Sequence, residues 1–490
     1  MKLNNLTKPL CVVPLLAIGA SLGCSAQETT PIHASSVTVS SPTLRTWQGW
    51  GCALYWWANV FGSNETMCQV CFGKTTTVLN SQNLPNLRFN IVRYNLGGSG
   101  PGMVNSRTMP AFKAINGFWL SPRSSNPLSA TFNWHADAAQ VEALKTAKAL
   151  GADHFEIASN SPMWWMCTNG STTGSDNGGD NLMTRYYTDF AYSLALAAKH
   201  ARTAWHVPVT AVEPFNEPSA WWWKFPGRQE GCHFDKSTQA KIIPLLRAEL
   251  NHIGLADVKI AASDENSPPE ALATWNSFSA AVRADIGRVN THGYSGLSPY
   301  RGPAMAELRR AVGSMPLWMS EDGDGDATGM TMAQTIAANI NQLGADAWCY
   351  WQPYDSGGWG LIQCNPGDHW VGTPNTKYYM MAQFSRHIME HMQVLSTSDV
   401  DTVAAYDPIK HKLVAVIVNT GAPRTISLQL NGFTSTKPSG SEWTTTSNGS
   451  VLYAHAALAN LHLPTLHVPV AGGSVATVEI DNVNRKSSAN

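Results

Sequence analysis

The chain has 490 residues, enough for one large domain and a second, smaller one. Hydrophobic residues make up 43% and charged residues only 14%, which excludes a globally disordered chain. The formal net charge is −1, so no basic excess points to nucleic acid or an anionic membrane as partner. Tryptophan, at 19, outnumbers tyrosine (13) and phenylalanine (14). Indole offers a wide apolar face and one N–H donor, a good platform for flat amphipathic ligands such as sugars.

Lys2 and Lys8 precede an apolar stretch from Leu10 to Gly23 that ends in small residues and is short for a bilayer span. Residues 1–23 read as an export signal, and residues 24–35, where Ser, Thr and Pro appear, as a linker. Ser21-Leu22-Gly23-Cys24 resembles a lipoprotein cleavage box with Ser in place of the usual first Leu; Cys24-Ser25-Ala26 before Gln27 is a competing site. The mature chain is expected to be secreted, periplasmic or on the cell surface, with membrane contact only through a lipid on Cys24. Seven further cysteines follow, an odd number, so one thiol stays unpaired if the others bridge. Cys68-Gln69-Val70-Cys71 has no second CxxC and is not read as a zinc site.

Short apolar runs with strand character then recur. They lie near Trp47–Ala53, Phe89–Asn95, His154–Ser159, Val209–Asn216, Val258–Ser263, Arg288–His292, Leu317–Ser320 and Ala347–Trp351. Helical patterns separate them, among them Ala138–Leu150, Thr184–His200, Thr238–His252 and Met332–Leu343. Such alternation fits an α/β chain forming a (β/α)8 TIM barrel over residues 48–393. A doubly wound open sheet gives the same alternation, though no Gly-rich phosphate turn follows the first strand. The Ser/Thr/Gly run Thr168–Gly179 reads as a flexible loop. From about Val394 the pattern becomes alternating and rich in turns, with strands expected at Thr402–Tyr406, Leu413–Val418, Thr425–Leu430 and Val475–Ile480. Residues 394–485 therefore read as an antiparallel β-sandwich. Ser36–Val39 and Leu44–Trp47 have strand character too, so residues 36–47 are expected to complete that sandwich.

In a barrel, functional residues gather at the C-terminal ends of the strands. The fourth strand ends in Glu213-Pro214-Phe215-Asn216-Glu217-Pro218 and the seventh in Trp318-Met319-Ser320-Glu321-Asp322. Two carboxylates on roughly opposite strands are what a glycosidic bond needs: one protonates the leaving oxygen, the other attacks the anomeric carbon or activates water. Asn216 is suited to hydrogen-bond a sugar 2-hydroxyl. The competing explanation is that Glu217 and Glu321 are acids favoured near helix N-termini.

Here the residues become recognisable. Gly49-Trp50-Gly51 leads to Trp56-Trp57-Ala58-Asn59, and Arg93-Tyr94-Asn95-Leu96-Gly97-Gly98 follows. Then come Glu213 to Pro218, Gln229-Glu230-Gly231-Cys232-His233-Phe234, Leu317-Trp318-Met319-Ser320-Glu321 with Gly323-Asp324-Gly325, and Tyr350-Trp351-Gln352. This ordered set resembles glycoside hydrolase family 30, most of all its endo-β-1,6-galactanase branch, from Gln48 to the C-terminal sandwich. The resemblance implies a retaining double displacement on β-1,6-linked galactan, such as arabinogalactan side chains, with Glu217 as acid/base and Glu321 as nucleophile. A β-1,6-glucanase, a xylanase or an exo-acting galactosidase of the same family are the alternatives. Glu217 must begin protonated and Glu321 ionised, held so by Arg93. Expected sugar contacts are Arg93, Asn95, Trp57, Trp165, Asn216, Glu230, His292, Tyr294 and Trp351, the last as floor of the subsite for the non-reducing sugar. Two carboxylates suffice for the reaction, so no cofactor or metal is implied.

Other acids are weighed against this pair. Glu213 is four residues before Glu217, about 13 Å along an extended strand, and belongs deep in the barrel. Asp264-Glu265 ends the fifth strand and reads as a rim or substrate-binding pair. Asp322, Asp324 and Asp326 fail the EF-hand spacing. His387-Ile388-Met389-Glu390-His391 matches an H-x-x-E-H zinc-peptidase pattern, a remote alternative through His387, Glu390 and His391 on what reads as the last barrel helix.

Overall fold

The computed structural model describes residues 35–104, 108–294, 303–459 and 461–486. The export signal, most of the linker and Cys24 lie outside the described residues. Eight parallel strands close into a barrel: Gly49–Ala53, Ile91–Leu96, His154–Ser159, Val209–Glu213, Lys259–Glu265, Ile286–His292, Leu317–Asp322 and Ala347–Tyr350. Each pairs with the next, and the eighth returns to the first through Ala347↔Gly49 to Tyr350↔Cys52. The (β/α)8 reading therefore holds and the open sheet does not. Both faces of these strands are covered, so they appear in the sequence as nearly continuous apolar runs rather than alternating ones. Gly51 is required by close approach: a Cβ there would lie 2.5 Å from the Ile91 backbone oxygen on the neighbouring strand.

Helices Ala138–Ala149, Tyr187–Thr203 and Lys236–His252 cover the barrel. A 3-10 turn, Thr184–Tyr186, precedes the second of these. Met330–Ala338 runs on into a π-helical turn, Asn339–Leu343, that stops at Gly344 with φ 74°. Among the described residues, no helix is long and apolar enough to cross a membrane. All seven cysteines from Cys52 onward are buried free thiols.

The β-rich tail forms one curled nine-stranded sheet. From edge to edge its strands are Ala454–Ala457, Ser439–Thr446, Ser474–Asp481, Lys412–Asn419, Thr402–Asp407, Gln393–Thr397, Ser36–Thr46, Arg424–Gln429 and Thr465–Val470. Ser36–Thr46 is one strand of 11 residues with register breaks, not two. It pairs antiparallel with Gln393–Thr397 and parallel with Arg424–Gln429, so it belongs to both halves of the curl. Val37, Val39, Leu413, Ile417, Ile426, Val468 and Val478 meet inside the curl. On its other face Val403, Val414, Val416 and Val475 join the core of the barrel.

Two expectations fail. The Ser/Thr/Gly run is not a loose loop: Ser171, Thr172, Thr173 and Ser175 are all buried. Asn181 Nδ2 donates to the Ser171 carbonyl and the Gly227 N–H to Thr173 Oγ1, so short polar side chains fill the gap between the loops after strands three and four. The H-x-x-E-H segment does not form one helical face. The last barrel helix ends at Ser385, and His391 has φ 68° and is 80% exposed. His387 Nδ1 pairs with Glu479 (2.7 Å) and Glu390 with His154 (2.8 Å), so no peptidase zinc site exists in this segment.

Candidate active site

The C-terminal ends of the strands open into a cleft of about 440 Å³. Its walls include Glu217, Glu321, Asn216, Tyr294, Trp351 and Trp56. One carboxylate oxygen of Glu217, one of Glu321 and a ring nitrogen of His292 all lie within 4.8 Å of one another. That separation matches the close pair of a retaining glycosidase rather than the roughly 6.5–9.5 Å of an inverting one.

Glu321 ends the seventh strand. Its Oε2 accepts from Arg93 Nη1 at 3.0 Å and its Oε1 from the Tyr294 hydroxyl at 2.8 Å. Burial pushes its carboxyl up to about 7, against the pull of the His292 and Arg93 cations; Asp264 and Glu217 add to the rise. Arg93 stands fully buried in the second strand. Its other bonds run to Glu156 (2.7 Å), to the Ser320 carbonyl (3.1 Å) and to Asp264. Burial works against the Asp264 charge, yet Arg93 and His292 hold that carboxyl below the usual range. Asp264 is therefore an interior anion under the site, not the rim residue the sequence implied. Glu265, with which it was paired, turns away to Thr274 (2.7 Å) and Ser219 (2.8 Å).

Glu217 follows the fourth strand with φ 47°. Its backbone is pinned by N–H donation to the Asp264 carbonyl (2.9 Å) and by the Trp223 Nε1 donating to its own carbonyl (2.8 Å). Asn266 Nδ2 at 2.7 Å and His292 Nδ1 at 3.2 Å both address Glu217 Oε1. His292 Nε2 lies 3.1 Å from Asp264 Oδ1. Burial alone would lower the imidazole, but Asp264, Glu321 and Glu217 hold it well above the ordinary histidine range, which favours its charged form between these carboxylates. With Oε1 engaged by two donors, a proton on Glu217 belongs on Oε2.

The expected contacts divide. Arg93, Asn216, His292, Tyr294 and Trp351 converge on the two glutamates or line the cleft. Trp57 does not: it is fully buried against Tyr354, with its Nε1 donating to the Ala53 carbonyl at 3.1 Å. Trp165 packs edge-on to Trp119 and Tyr186 in the core. Trp56, beside Trp57, is the indole that reaches the cleft, edge-on to Trp351 at 4.9 Å. Glu230 is also a correction. It has no exposure and bonds the Ser99 backbone N–H (3.0 Å) and hydroxyl, joining the loops after strands two and four. Burial pushes its carboxyl up to about 8. Asn95 is buried at the top of the second strand, where its amide oxygen and nitrogen have no partner among the described residues. Glu213, the last residue of the fourth strand, is fully buried, and burial pushes it well above the carboxylate range.

Sequence reasoning missed Asn266, Asn160, Lys113 and Trp359, all on the cleft wall. The first is one residue beyond Asp264-Glu265, which was noticed for its charge alone. Lys377, from the last barrel helix, is a further unpredicted support. Its buried Nζ donates to Asp324 O (2.7 Å), Asp324 Oδ1 (2.8 Å) and Gly358 O (2.8 Å), tying the loop after Glu321 to the loop carrying Trp359.

The geometry agrees with comparisons to known proteins. Residues 87–282 match the family model described as O-Glycosyl hydrolase family 30. An endo-beta-1,6-galactanase of Hypocrea rufa is 40% identical over 447 residues, covering 89% of this chain and 92% of that protein. An exo-beta-1,6-galactobiohydrolase of Bifidobacterium longum is 23% identical over 411 residues, 65% of this chain and 27% of that protein. Among solved structures, the catalytic domain of a family 30 xylanase C from Talaromyces cellulolyticus superposes with a TM-score of 0.68 at 21% identity, over 91% of this chain and 99% of that one. The chain belongs to glycoside hydrolase family 30.

Proposed function

We propose that the protein is a retaining endo-β-1,6-galactanase, with Glu217 as acid/base and Glu321 as nucleophile. The observation that carries the mechanism is the close approach of their carboxylates, within 4.8 Å. Glu321 attacks the anomeric carbon while Glu217 Oε2 protonates the departing O6 of the next galactose. Glu217, now a base, then takes a proton from the water that releases the galactosyl group. Arg93 and Tyr294 fix the attacking carboxylate without competing for the sugar. Asn216 Oδ1, Asn160 Oδ1 and Trp56 Nε1 have no partner among the described residues and line the same cleft, which suits them to sugar hydroxyls. Residues 48–393 form the catalytic body in this reading, and residues 36–47 with 394–485 the sandwich.

Substrate choice rests on the Hypocrea rufa relative. It is tested by following the products released from linear β-1,6-galactan, with β-1,6-glucan and glucuronoxylan in parallel. Mixed short galacto-oligosaccharides with β-configured new ends are expected first. A single small product from chain ends would make the enzyme exo-acting, and activity on glucan or xylan alone would sink the galactan assignment. A polymeric substrate fits export by residues 1–23. The mass of the mature chain decides between a lipidated Cys24 and an unmodified N-terminus.

The site also fixes a pH response. Glu321 must be ionised to attack, so the acidic limb of kcat/KM follows its titration. His292 supplies one of the two positive charges that lower it. In His292→Asn that charge is gone, the neutral acid is favoured, and the acidic limb moves to higher pH. An unmoved limb with reduced kcat would show that His292 acts by shape alone.

A further inference from the structure

The aromatic contacts of the cleft form a path leading from Arg93, which holds Glu321. The Arg93 guanidinium is 5.8 Å from the Tyr55 ring centroid. Tyr55 meets Trp351 edge-on at 5.4 Å, and Trp351 meets Trp56 edge-on at 4.9 Å. Over the Trp56 ring, 3.5 Å from its centroid, stands the ammonium of Lys113. Lys113 closes a 3-10 turn, Ala111–Lys113, in the long segment after the second strand, and it lines the same cleft as the two glutamates. Its Nζ has no hydrogen bond or ion pair with another described residue. The charged groups near it are Asp355 and Arg228. Asp355 already accepts from Gln352 Nε2 and from the Ser356 N–H, each at 2.7 Å. An ammonium carries three donors, and a half-buried one with only a ring face beside it has donors left for a ligand.

We infer that Lys113 determines glycone-side specificity by donating a charge-assisted hydrogen bond to a hydroxyl of the second sugar from the scissile bond. With Trp351 taken as the floor for the first sugar, the next step along the path is Trp56 with Lys113 above it. The ammonium already covers that face of the indole, so Trp56 holds the charge in place by cation–π attraction and the ammonium supplies the donors for a sugar hydroxyl. This rests on the galactanase reading.

The test uses two substrates with the same dinitrophenyl leaving group, the β-galactoside and the β-1,6-galactobioside. Only the second reaches Lys113. Lys113→Met keeps the apolar stem over Trp56 and removes the donors. Its kcat/KM for the galactobioside is expected to fall about ten- to a hundredfold, chiefly through KM, since the contact is remote from the reacting bond. The galactoside value and the thermal midpoint stay within about twofold and about one degree of the parent, and Lys113→Arg recovers part of the loss. An unchanged galactobioside value overturns the inference, and so does an equal fall for both substrates, which would mark Lys113 as structural. A parent enzyme inert on both galactosides yet active on another sugar would instead overturn the galactanase reading, and this inference with it.

Discussion

Glu321→Gln is expected to lower kcat on β-1,6-galacto-oligosaccharides by about 10⁵-fold, the order of loss when a covalent nucleophile is removed. The amide keeps the size of the carboxylate; its oxygen still accepts from Arg93 and its NH2 can donate to the Tyr294 hydroxyl oxygen, so folding is preserved and the loss is chemical. Glu217→Gln differs in a diagnostic way. With a sugar leaving group it loses about 10²- to 10⁴-fold, the usual range for a positioned acid. With a dinitrophenyl leaving group, which departs without a proton, the first step survives and the glycosyl-enzyme accumulates as a burst. Pre-steady-state absorbance separates the two variants. Near-normal turnover of galactan by both would remove the assigned roles from both residues.

Arg93→Met carries the second large effect, and it combines activity with stability. The guanidinium is fully buried and touches Glu156, Asp264 and Glu321 at once. A buried pair broken from one side leaves an uncompensated charge, costing about 3–5 kcal/mol. Here three carboxylates lose the same cation. They respond by taking up protons, Glu321 among them, so the nucleophile is neutral where it must be charged. The urea midpoint and kcat/KM should fall together. Arg93→Lys supplies the charge as one point and cannot reproduce the fork that reaches three acids and the Ser320 carbonyl, so it recovers stability only in part. A variant as stable as the parent would mean that Arg288, which also reaches Glu156, carries the network.

The barrel was legible because parallel strands covered on both faces keep apolar runs through most of the strands, although the sixth, Ile286–His292, carries Arg288, Asn290 and His292. Their ends then located Glu217 and Glu321. Side-chain direction beyond the strand ends was not legible. Trp56 and Trp57 are adjacent, and a positive φ of 59° at Trp56, which no periodicity signals, sends one to the cleft and the other to the core. Glu230 lies in a recognisable motif, but the path of its loop turns it back onto Ser99. The buried Ser/Thr run looked mobile because composition records polarity and not the hydrogen bonds that satisfy it. In the sheet, Ala454–Ala457 is an edge strand with all four residues exposed, so it has no alternation to detect. The peptidase-like pattern failed because it presumes a helix that stops two residues before His387.

The strand Ser36–Thr46 ties the beginning of the described chain to its end. Thr38 accepts its bond from Ser398, and donates one to that residue's hydroxyl, across 360 positions. During synthesis this segment is made before the barrel and its strand partners after it, so it waits while the whole barrel is synthesised between them. Loop closure over such a span adds little entropy per extra residue, so the cost lies in timing. Until synthesis is complete, the strand offers an unpaired edge to chaperones and proteases. A prematurely terminated chain keeps that edge for good, which gives quality control a mark of incompleteness at the opposite end from the defect.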